Sequence, residues 1–316
     1  MNASRSLGER KQSKKHAKPL DDFAPSGYSI NVVRTKASLA APLFGPITLP
    51  RRDDMSQLEI VVDIETVPCT RPELIEEIRA DLRENFKAPS DMTKEKACAE
   101  LGMKDADQIK FTSKARALEM WVERFRDEKL EETAMEQWRK TSFDGARGQV
   151  AVVGVAIDNE APQTFFSDAW ATNESVVLRS AFDYIASAYS PSSDRRPVFV
   201  GHYITGFDLR FMFQRAVILG IKPPSIIPFH ARPWDDAVFD TMTRWAGHSG
   251  SIKLDALCEA LGIPGKGGMD GSQVWDAVAE GRIGDVATYC AGDVRMTREA
   301  YRRMTFAPAI DLQIAA

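Results

Sequence analysis

A chain of 316 residues with 44% hydrophobic residues has the composition of an ordinary globular protein and the length of one large or two modest domains. Its four cysteines are scattered without a CxxC pair, which argues against a zinc knuckle or a disulfide framework and favours free thiols in a reducing cytoplasm. No apolar run is long enough to cross a bilayer or to serve as a signal-peptide core, so we expect an intracellular protein.

The net charge of -4 is unevenly distributed along the chain. Residues 1–55 contain ten Lys/Arg and five Asp/Glu, so this segment carries +5 and the remainder -9. It mixes these charges with Pro, Ser, Gly and Ala and shows no apolar period, which predicts a disordered basic extension. The extension could steer the protein to a polyanion, although net charge gives no support for nucleic-acid binding. Met55 stands directly before the first predicted strand, and we expect the folded domain to begin there.

The first strand is predicted in the apolar run LEIVVDIETVP, residues 58–68. Its two acids, Asp63 and Glu65, are two residues apart and therefore project from the same side of a strand. Two like charges held so close repel each other unless a cation lies between them, and oxygen ligands suit Mg²⁺ or Mn²⁺. The motif predicts a metal site. The alternative is that Asp63 ends the strand and Glu65 is solvated.

Residues 70–146 are strongly charged and have helical periodicity, which predicts a helical insertion between the first two strands. One helix is predicted to begin at Pro72 and another to run from Ser113 to Arg139, each with an apolar stripe for packing. Five basic positions could also guide a nucleic-acid strand: Lys110, Lys114, Arg116, Arg124 and Arg126.

Strands and helices alternate after the insertion, which predicts a layered α/β domain. The run QVAVVGVAI at residues 149–157 predicts a buried strand, and residues 163–166 predict its hairpin partner. A helix over about residues 173–188 and a short strand over residues 197–201 follow.

The stretch GHYITGFDLRFMFQRAVILG predicts a helix that starts near Asp208. Taken alone, Asp208 reads as a helix cap that accepts free backbone N–H groups. Four apolar residues of the helix are expected to face inward: Leu209, Phe211, Met212 and Val217.

Three further elements complete the chain. VFDTM at residues 238–242 predicts a strand that runs into a helix, and SIKLDALCEALGIP predicts a helix ended by Gly262. The loop PGKGGMDGS lacks the GxxxxGK[ST] spacing of a nucleotide-binding P-loop, so we interpret it as turns. A last helix over about residues 285–304 carries Tyr289 and Asp293 four apart on one face. Seen singly, these two are a packing tyrosine and a solvated acid.

Three acidic blocks therefore follow one another in a fixed order: Asp63-x-Glu65, Phe207-Asp208 and Tyr289-x-x-x-Asp293. This order resembles the DEDD superfamily of 3′-5′ exonucleases, and the third block resembles its tyrosine branch. The motifs DIETVP, GHYITGFDLRF, LDALCEALGIPGKGGMDGSQVWD and YCAGDV more closely resemble the predicted polymerase B-like exonucleases, standalone proteins often found in phage and prophage sequences. The resemblance covers residues 58–304 and implies an α/β, ribonuclease H-like fold. That fold has a mixed five-stranded sheet flanked by helices, in an exonuclease domain over residues 56–316.

The resemblance also implies a chemistry: hydrolysis of phosphodiester bonds from the 3′ end of DNA, preferentially single-stranded, with release of nucleoside 5′-monophosphates. Two divalent cations about 4 Å apart, Mg²⁺ or Mn²⁺, would neutralise the charge that develops in this reaction. By resemblance Asp63 would bridge the ions, Glu65 and Asp293 would complete the ion beside the nucleophile, and Asp208 would hold the other, largely through water. Tyr289 would orient the attacking water and not act as a strong base, because its ordinary pKa lies near 10.

Substrate contacts are expected from Phe207, Arg210 and Lys266 through stacking and phosphate binding, with packing or solvation as the alternative for each. Many relatives have Asn where this chain has Tyr203, which puts any polar role of that side chain in doubt. Only 23 residues follow Asp293, so we expect no attached polymerase domain.

Two other functions stay open. An exoribonuclease of the same fold would use the same acids, and nothing in the sequence reads a 2′-OH. A non-catalytic nucleic-acid-binding module would be expected to have lost one or more of the metal-binding acids, and none is missing here.

Overall fold

The computed structural model describes residues 57–193, 195–265 and 268–307. The predicted basic extension, the domain start at Met55 and the candidate contact Lys266 lie outside the described residues. The strands are β1 (Gln57–Val67), β2 (Gln149–Ile157), β3 (Gln163–Phe165), β4 (Arg196–Gly201) and β5 (Val238–Asp240). The α-helices are α1 (Pro72–Asn85), α2 (Lys94–Glu100), α3 (Ala106–Phe111), α4 (Lys114–Lys140), α5 (Trp170–Ser187), α6 (Asp208–Ile218), α7 (Thr241–Ala246), α8 (Leu254–Leu261), α9 (Val274–Ala279) and α10 (Ile283–Met304).

The strands form one mixed sheet in the order β3-β2-β1-β4-β5. β2 is antiparallel to both β1 and β3, whereas β4 is parallel to β1 and β5 is parallel to β4. The expected ribonuclease H-like sheet, with the longest strand, β1, at its centre, is therefore confirmed. The order also brings the end of β1 beside the turn that leaves β4.

The two faces of β1 pack against different helices. Alternate residues of the strand share the largest core with α5 and α6: Leu58, Ile60, Val62 and Ile64. Val61, on the other face, shares a core with Val294 of α10. Because side chains alternate along a strand, Asp63 and Glu65 lie on the α10 side of the sheet.

The expected helical insertion between the first two strands is confirmed as α1 to α4, which pack around a core of their own. Pro72 occupies the first turn of α1, as the sequence predicts. Trp121 is the largest fully buried side chain of that core. The insertion is tied to the sheet domain by the Trp138 Nε1 donor, which lies 3.0 Å from the carbonyl oxygen of Cys69, and by the edge-on contact of Trp138 with Trp275.

A buried ion pair joins α5 to α6. The guanidinium of Arg215 donates to both carboxylate oxygens of Glu174 at 2.8 and 2.7 Å, and also to the carbonyl oxygen of Gly145. Glu174 in turn accepts from the backbone N–H of Val150 on β2. A buried charge is tolerated when it is paired and hydrogen-bonded in this way, so the network fixes the loop before β2 against α6.

One predicted core position is wrong. Val217 is 64% exposed, whereas Leu209, Phe211 and Met212 are buried. Val217 lies nine residues after Asp208, which is two and a half helical turns, so the two side chains occupy opposite faces of α6. Among the helices of the described ranges, none combines the length and apolar content that a bilayer-spanning segment requires.

Candidate active site

Asp63 and Glu65 converge near the end of β1. One oxygen of each carboxylate and the Sγ of Cys290 all lie within 4.8 Å of one another. Glu65 is buried, with 8% of its surface exposed, so the expectation of a solvated Glu65 is wrong. Asp63 does not end the strand either, because β1 continues to Val67 and is bulged only between Glu65 and Thr66.

Asp208 reaches the same strand from α6. Its Oδ1 accepts a hydrogen bond from the backbone N–H of Ile64, 3.2 Å away, between the two acids of β1. The N-cap of α6 is Phe207, so Asp208 is the first helical residue and not the N-cap residue, and its carboxylate also interacts with its own backbone N–H. The carboxylate is 4% exposed, and burial, helped by Asp240 and Asp293, raises the pKa of Asp208 to about 7.

α10 brings Tyr289 and Asp293 to the acids of β1. Between them in sequence, Cys290 lies with its Sγ 3.3 Å from Oδ2 of Asp63, as a thiol donor to the carboxylate. Asp293 is buried, so the interpretation of it as a solvated acid is wrong, whereas Tyr289 is half-buried and packs against a core, as the packing interpretation expects. One helical turn separates the two side chains, which places both beside β1.

The four carboxylates share one electrostatic environment. Burial first, and then the negative charges of Glu65, Asp293 and Asp208, raise the pKa of Asp63 well above its ordinary value. Burial and then Asp293, Glu65 and Asp63 raise the pKa of the Tyr289 hydroxyl. Residues separated by more than 200 positions in sequence therefore repel one another near the end of β1. The ligand atoms that lie within 4.8 Å of one another belong to Asp63, Glu65 and Cys290, with Asp63 half-buried.

The chemistry of this donor set fits hard divalent cations. Carboxylates that repel one another at a largely buried site are costly unless positive charge lies among them, and oxygen donors suit Mg²⁺ and Mn²⁺. Cys290 lies beside these oxygens as a hydrogen-bond donor to Asp63, and burial and then the charge of Asp63 raise the pKa of its thiol. Sulfur is a softer ligand than the oxygens that Mg²⁺ and Mn²⁺ prefer.

Asp240, at the end of β5, is a supporting residue that the sequence alone did not identify. It is fully buried, and its carboxylate accepts from the backbone N–H of Tyr203 at 3.0 Å and from Oγ1 of Thr205 at 2.9 Å. It also caps α7 through the N–H of Thr243. Asp240 thus fixes the turn that positions Asp208 beside the acids of β1. In the sequence, the only indication of this role is the place of an acid between an apolar strand and a helix.

The structure describes two of the three expected substrate contacts. Phe207 precedes Asp208, is half-buried, and has its ring 6.4 Å from that of Phe143 and 5.5 Å from that of Phe211. Arg210 is exposed on the outer face of α6 and borders an open groove. The third, Lys266, lies in the gap between the described ranges.

Comparisons with known proteins identify a family and similar solved structures. Residues 149–311, just over half of the chain, match the family described as predicted 3′-5′ exonucleases related to the exonuclease domain of PolB. The chain is similar to the family B DNA polymerase of the hyperthermophilic archaeon Pyrobaculum calidifontis at 15% identity and a TM-score of 0.43. That similarity covers 79% of this chain and 24% of the polymerase, so the chain spans about a quarter of that protein. No curated protein matches the sequence.

Proposed function

The chain belongs to the family of predicted 3′-5′ exonucleases related to the exonuclease domain of PolB, and on that premise we propose that it is a metal-dependent 3′-5′ exodeoxyribonuclease of the tyrosine-containing DEDD type. It removes nucleoside 5′-monophosphates from the 3′ end of single-stranded DNA. The observation that carries the proposal is the hydrogen bond from the Ile64 N–H to Asp208, which joins the second acidic block to the strand that holds the first.

Asp63, Glu65, Asp208 and Asp293 would hold two divalent cations, Mg²⁺ or Mn²⁺. When bound, such ions lower the pKa of a coordinated water and neutralise charge on the phosphoryl group and on the departing 3′ oxygen. Asp63 and Glu65 would be ligands from β1, and the charge of Asp63 interacts with all three of the other carboxylates. Asp208 would be a ligand from α6, held against β1 by the N–H of Ile64.

Tyr289 orients the attacking water as a hydrogen-bond donor or acceptor. Burial and the neighbouring carboxylates raise the pKa of its hydroxyl, so the phenol stays protonated through the pH range of an assay. A group that does not ionise cannot serve as the general base. Its role is therefore to position the water against the phosphorus atom.

The substrate is a nucleic-acid 3′ end that enters as a single strand. Phe207 offers an apolar ring next to Asp208, and Arg210 offers a guanidinium that can contact a phosphate.

The four buried cysteines are all free, which supports a reducing, cytoplasmic location.

The test is the digestion of single-stranded DNA labelled at its 5′ end, with Mg²⁺ or Mn²⁺ or with a chelator. We expect a ladder of shortened labelled products that requires the metal and disappears in Asp63→Ala and Asp293→Ala. Asp168→Ala, which removes an exposed acid far from β1 in sequence, is the matched control and should retain the ladder. A matched RNA strand tests the exoribonuclease alternative. If the protein binds the labelled DNA but does not shorten it with either Mg²⁺ or Mn²⁺, the proposal is contradicted.

A further inference from the structure

An open groove runs along the outer face of α6, opposite the face that carries Asp208. It encloses about 730 Å³ and is bounded by the turn after β4, by α6 and by the segment that leads to β5. This volume is in the range of pockets that hold ligands. Tyr203 and Gly206, at one end of the groove, belong to the turn that delivers Asp208, so the groove begins beside the acid cluster.

The charge of the groove is opposite to that of the domain around it. Arg210 and Arg232 are exposed along it, together with His230 and His248, and none of the 13 described lining residues is acidic. Neither arginine forms an ion pair with any acidic residue that the structure describes. Residues 56–316 carry -9 overall, because the first 55 residues hold +5 of the net -4. The carboxylate of Asp235 accepts from the backbone N–H of Arg232 and does not line the groove. Two exposed guanidinium groups in a groove that no acidic residue lines point to a polyanionic ligand.

Aromatic rings are interleaved with these cations. The rings of Phe213 and Phe229 lie 5.6 Å apart, and His230 packs edge-on against Phe213 at 5.0 Å. Tyr203 is 46% exposed at the end nearest the acid cluster. Alternating guanidinium groups and aromatic faces are the surface that single-stranded nucleic acid binds, through phosphates and stacked bases respectively.

We propose that this groove binds the single strand on the 5′ side of the terminal nucleotide while the 3′ end lies at the four acids. The proposal rests on the proposed function and extends it to a defined path for the strand. It predicts that Arg232, which is remote in sequence from every acid of the cluster, contributes to binding of longer strands.

The test compares Arg232→Glu with Lys104→Glu, which makes the same charge change at an exposed position of the helical insertion. For a strand of about twenty nucleotides, Arg232→Glu should raise KM about tenfold. The slope of a plot of log KM against log salt concentration should fall by about 0.7, because one phosphate contact is lost. The ratio of KM for this strand to KM for a trinucleotide should rise, because the shorter strand cannot fill the groove. Lys104→Glu should change none of these values.

An unchanged KM and an unchanged salt slope in Arg232→Glu would overturn the groove proposal. A wild-type protein that hydrolyses no strand would instead overturn the proposed function. The groove is then still tested by fluorescence anisotropy of a labelled single strand in chelator, where Arg232→Glu should weaken binding about tenfold and equal binding by the two proteins would refute it.

Phe143 is a large apolar residue that is 73% exposed. It ends a 3-10 turn, Thr141–Phe143, that follows the helical insertion. Two hydrogen bonds tie this turn to the end of β1: Oγ1 of Thr66 donates to the carbonyl oxygen of Ser142 at 2.7 Å, and the N–H of Cys69 donates to Oγ1 of Thr141 at 2.9 Å.

These bonds hold Phe143 at the edge of the acid cluster. Thr66 directly follows Glu65, and the ring of Phe143 lies 6.4 Å from that of Phe207, which directly precedes Asp208. The planes of the two rings are inclined at 58°, so the rings are not stacked on each other. We infer that Phe143 stacks on the base of the 3′-terminal nucleotide, and that it positions this nucleotide without selecting its sequence, because every base has a π face.

Phe143→Ala tests this role, with Phe111→Ala as the control. Phe111 is 80% exposed but lies on α3 in the helical insertion. Phe143→Ala should raise KM about tenfold on a normal 3′ end. On a strand whose 3′-terminal residue is abasic, wild type and Phe143→Ala should have the same KM, because there is no base to stack. An equal loss on both substrates, or no loss on either, would overturn the inference, whereas an inactive wild type would overturn the proposed function.

Discussion

A Cβ atom on Gly154 would lie 2.7 Å from the Sγ of Cys290, closer than two such atoms can approach. Gly154 pairs with Asp63 in the β1–β2 ladder, so the glycine lies beside the candidate metal site on the face that receives α10. The absence of a side chain there lets α10 approach the sheet and brings Tyr289 and Asp293 to the acids of β1.

Gly154→Ala should therefore displace α10 and impair both stability and activity. Overpacking of this kind costs about 1–3 kcal/mol in the free energy of unfolding, and a shift of Asp293 should also weaken metal binding. Chemical denaturation and metal titration measure the two effects. Gly284→Ala, on α10 itself with open space around the position, is the control and should be neutral or slightly stabilising. Wild-type stability and metal affinity in Gly154→Ala would show that the close approach is unimportant.

Cys290→Ala should retain most of the Mg²⁺-dependent activity. The thiol donates a hydrogen bond to Asp63, and its sulfur is a soft ligand that suits a hard ion poorly. The measurement is the Mg²⁺ concentration that gives half-maximal activity. If Cys290→Ala increases this concentration as much as Asp63→Ala does, the sulfur is a metal ligand and the assignment of an all-oxygen site is wrong.

Asp208 makes the stability of the metal-free protein depend on pH. Burial raises its pKa to about 7 in the folded protein, whereas an aspartate in the unfolded chain titrates near 4. Below pH 4 both states are protonated and the group costs nothing. As pH rises from about 4 to about 7, the unfolded chain ionises first, so stability is lost over this window.

Thermal unfolding in chelator checks this expectation. The Tm of the wild type should fall from about pH 5 to about pH 8 more steeply than the Tm of Asp208→Asn, which cannot ionise at that position. Saturating Mg²⁺ should stabilise the wild type more at the higher pH, because the carboxylate must be ionised to bind the ion. Parallel curves for the two proteins would contradict the assigned burial of Asp208.

Tyr289→Phe should lower kcat by about a hundredfold while KM and metal affinity stay close to those of the wild type. The hydroxyl positions the water but holds no ion, and its raised pKa means that the pH profile should show no tyrosine ionisation. Tyr184→Phe removes a hydroxyl that contacts only surface Glu160 in the described structure and should leave kcat unchanged. An unchanged kcat in Tyr289→Phe would make its placement purely structural.

Much of the fold was predictable because each element has a strong local signal. The apolar runs of β1 and β2, Pro72 at the start of α1 and Gly262 in the left-handed conformation at the end of α8 all follow the sequence pattern. Helix starts were less accurate: α10 begins at Ile283 and α5 at Trp170, a few residues before the predicted positions. Termini depend on tertiary contacts that a local pattern does not contain.

The acids were found through their order along the chain, while the residues around them were missed. A glycine inside a β-strand signals close backbone approach, but nothing in the sequence says that Cys290 would fill the space at Gly154. Phe143 lies in a short turn whose sequence has no helical or strand periodicity. Its exposure depends on the path of the chain from the helical insertion to β2. Tyr203 has φ of +64°, a conformation that Asn tolerates better than a bulky aromatic residue.

The central claim is that four carboxylates from three separate segments hold two divalent cations. Counting Mn²⁺ bound per chain at equilibrium, in wild type and in Asp63→Asn, tests it most directly. We predict two bound Mn²⁺ for the wild type and a loss of affinity for both in Asp63→Asn, because Asp63 is assigned to bridge them. Equal binding by the two proteins, or no binding by the wild type at millimolar Mn²⁺, would contradict the claim.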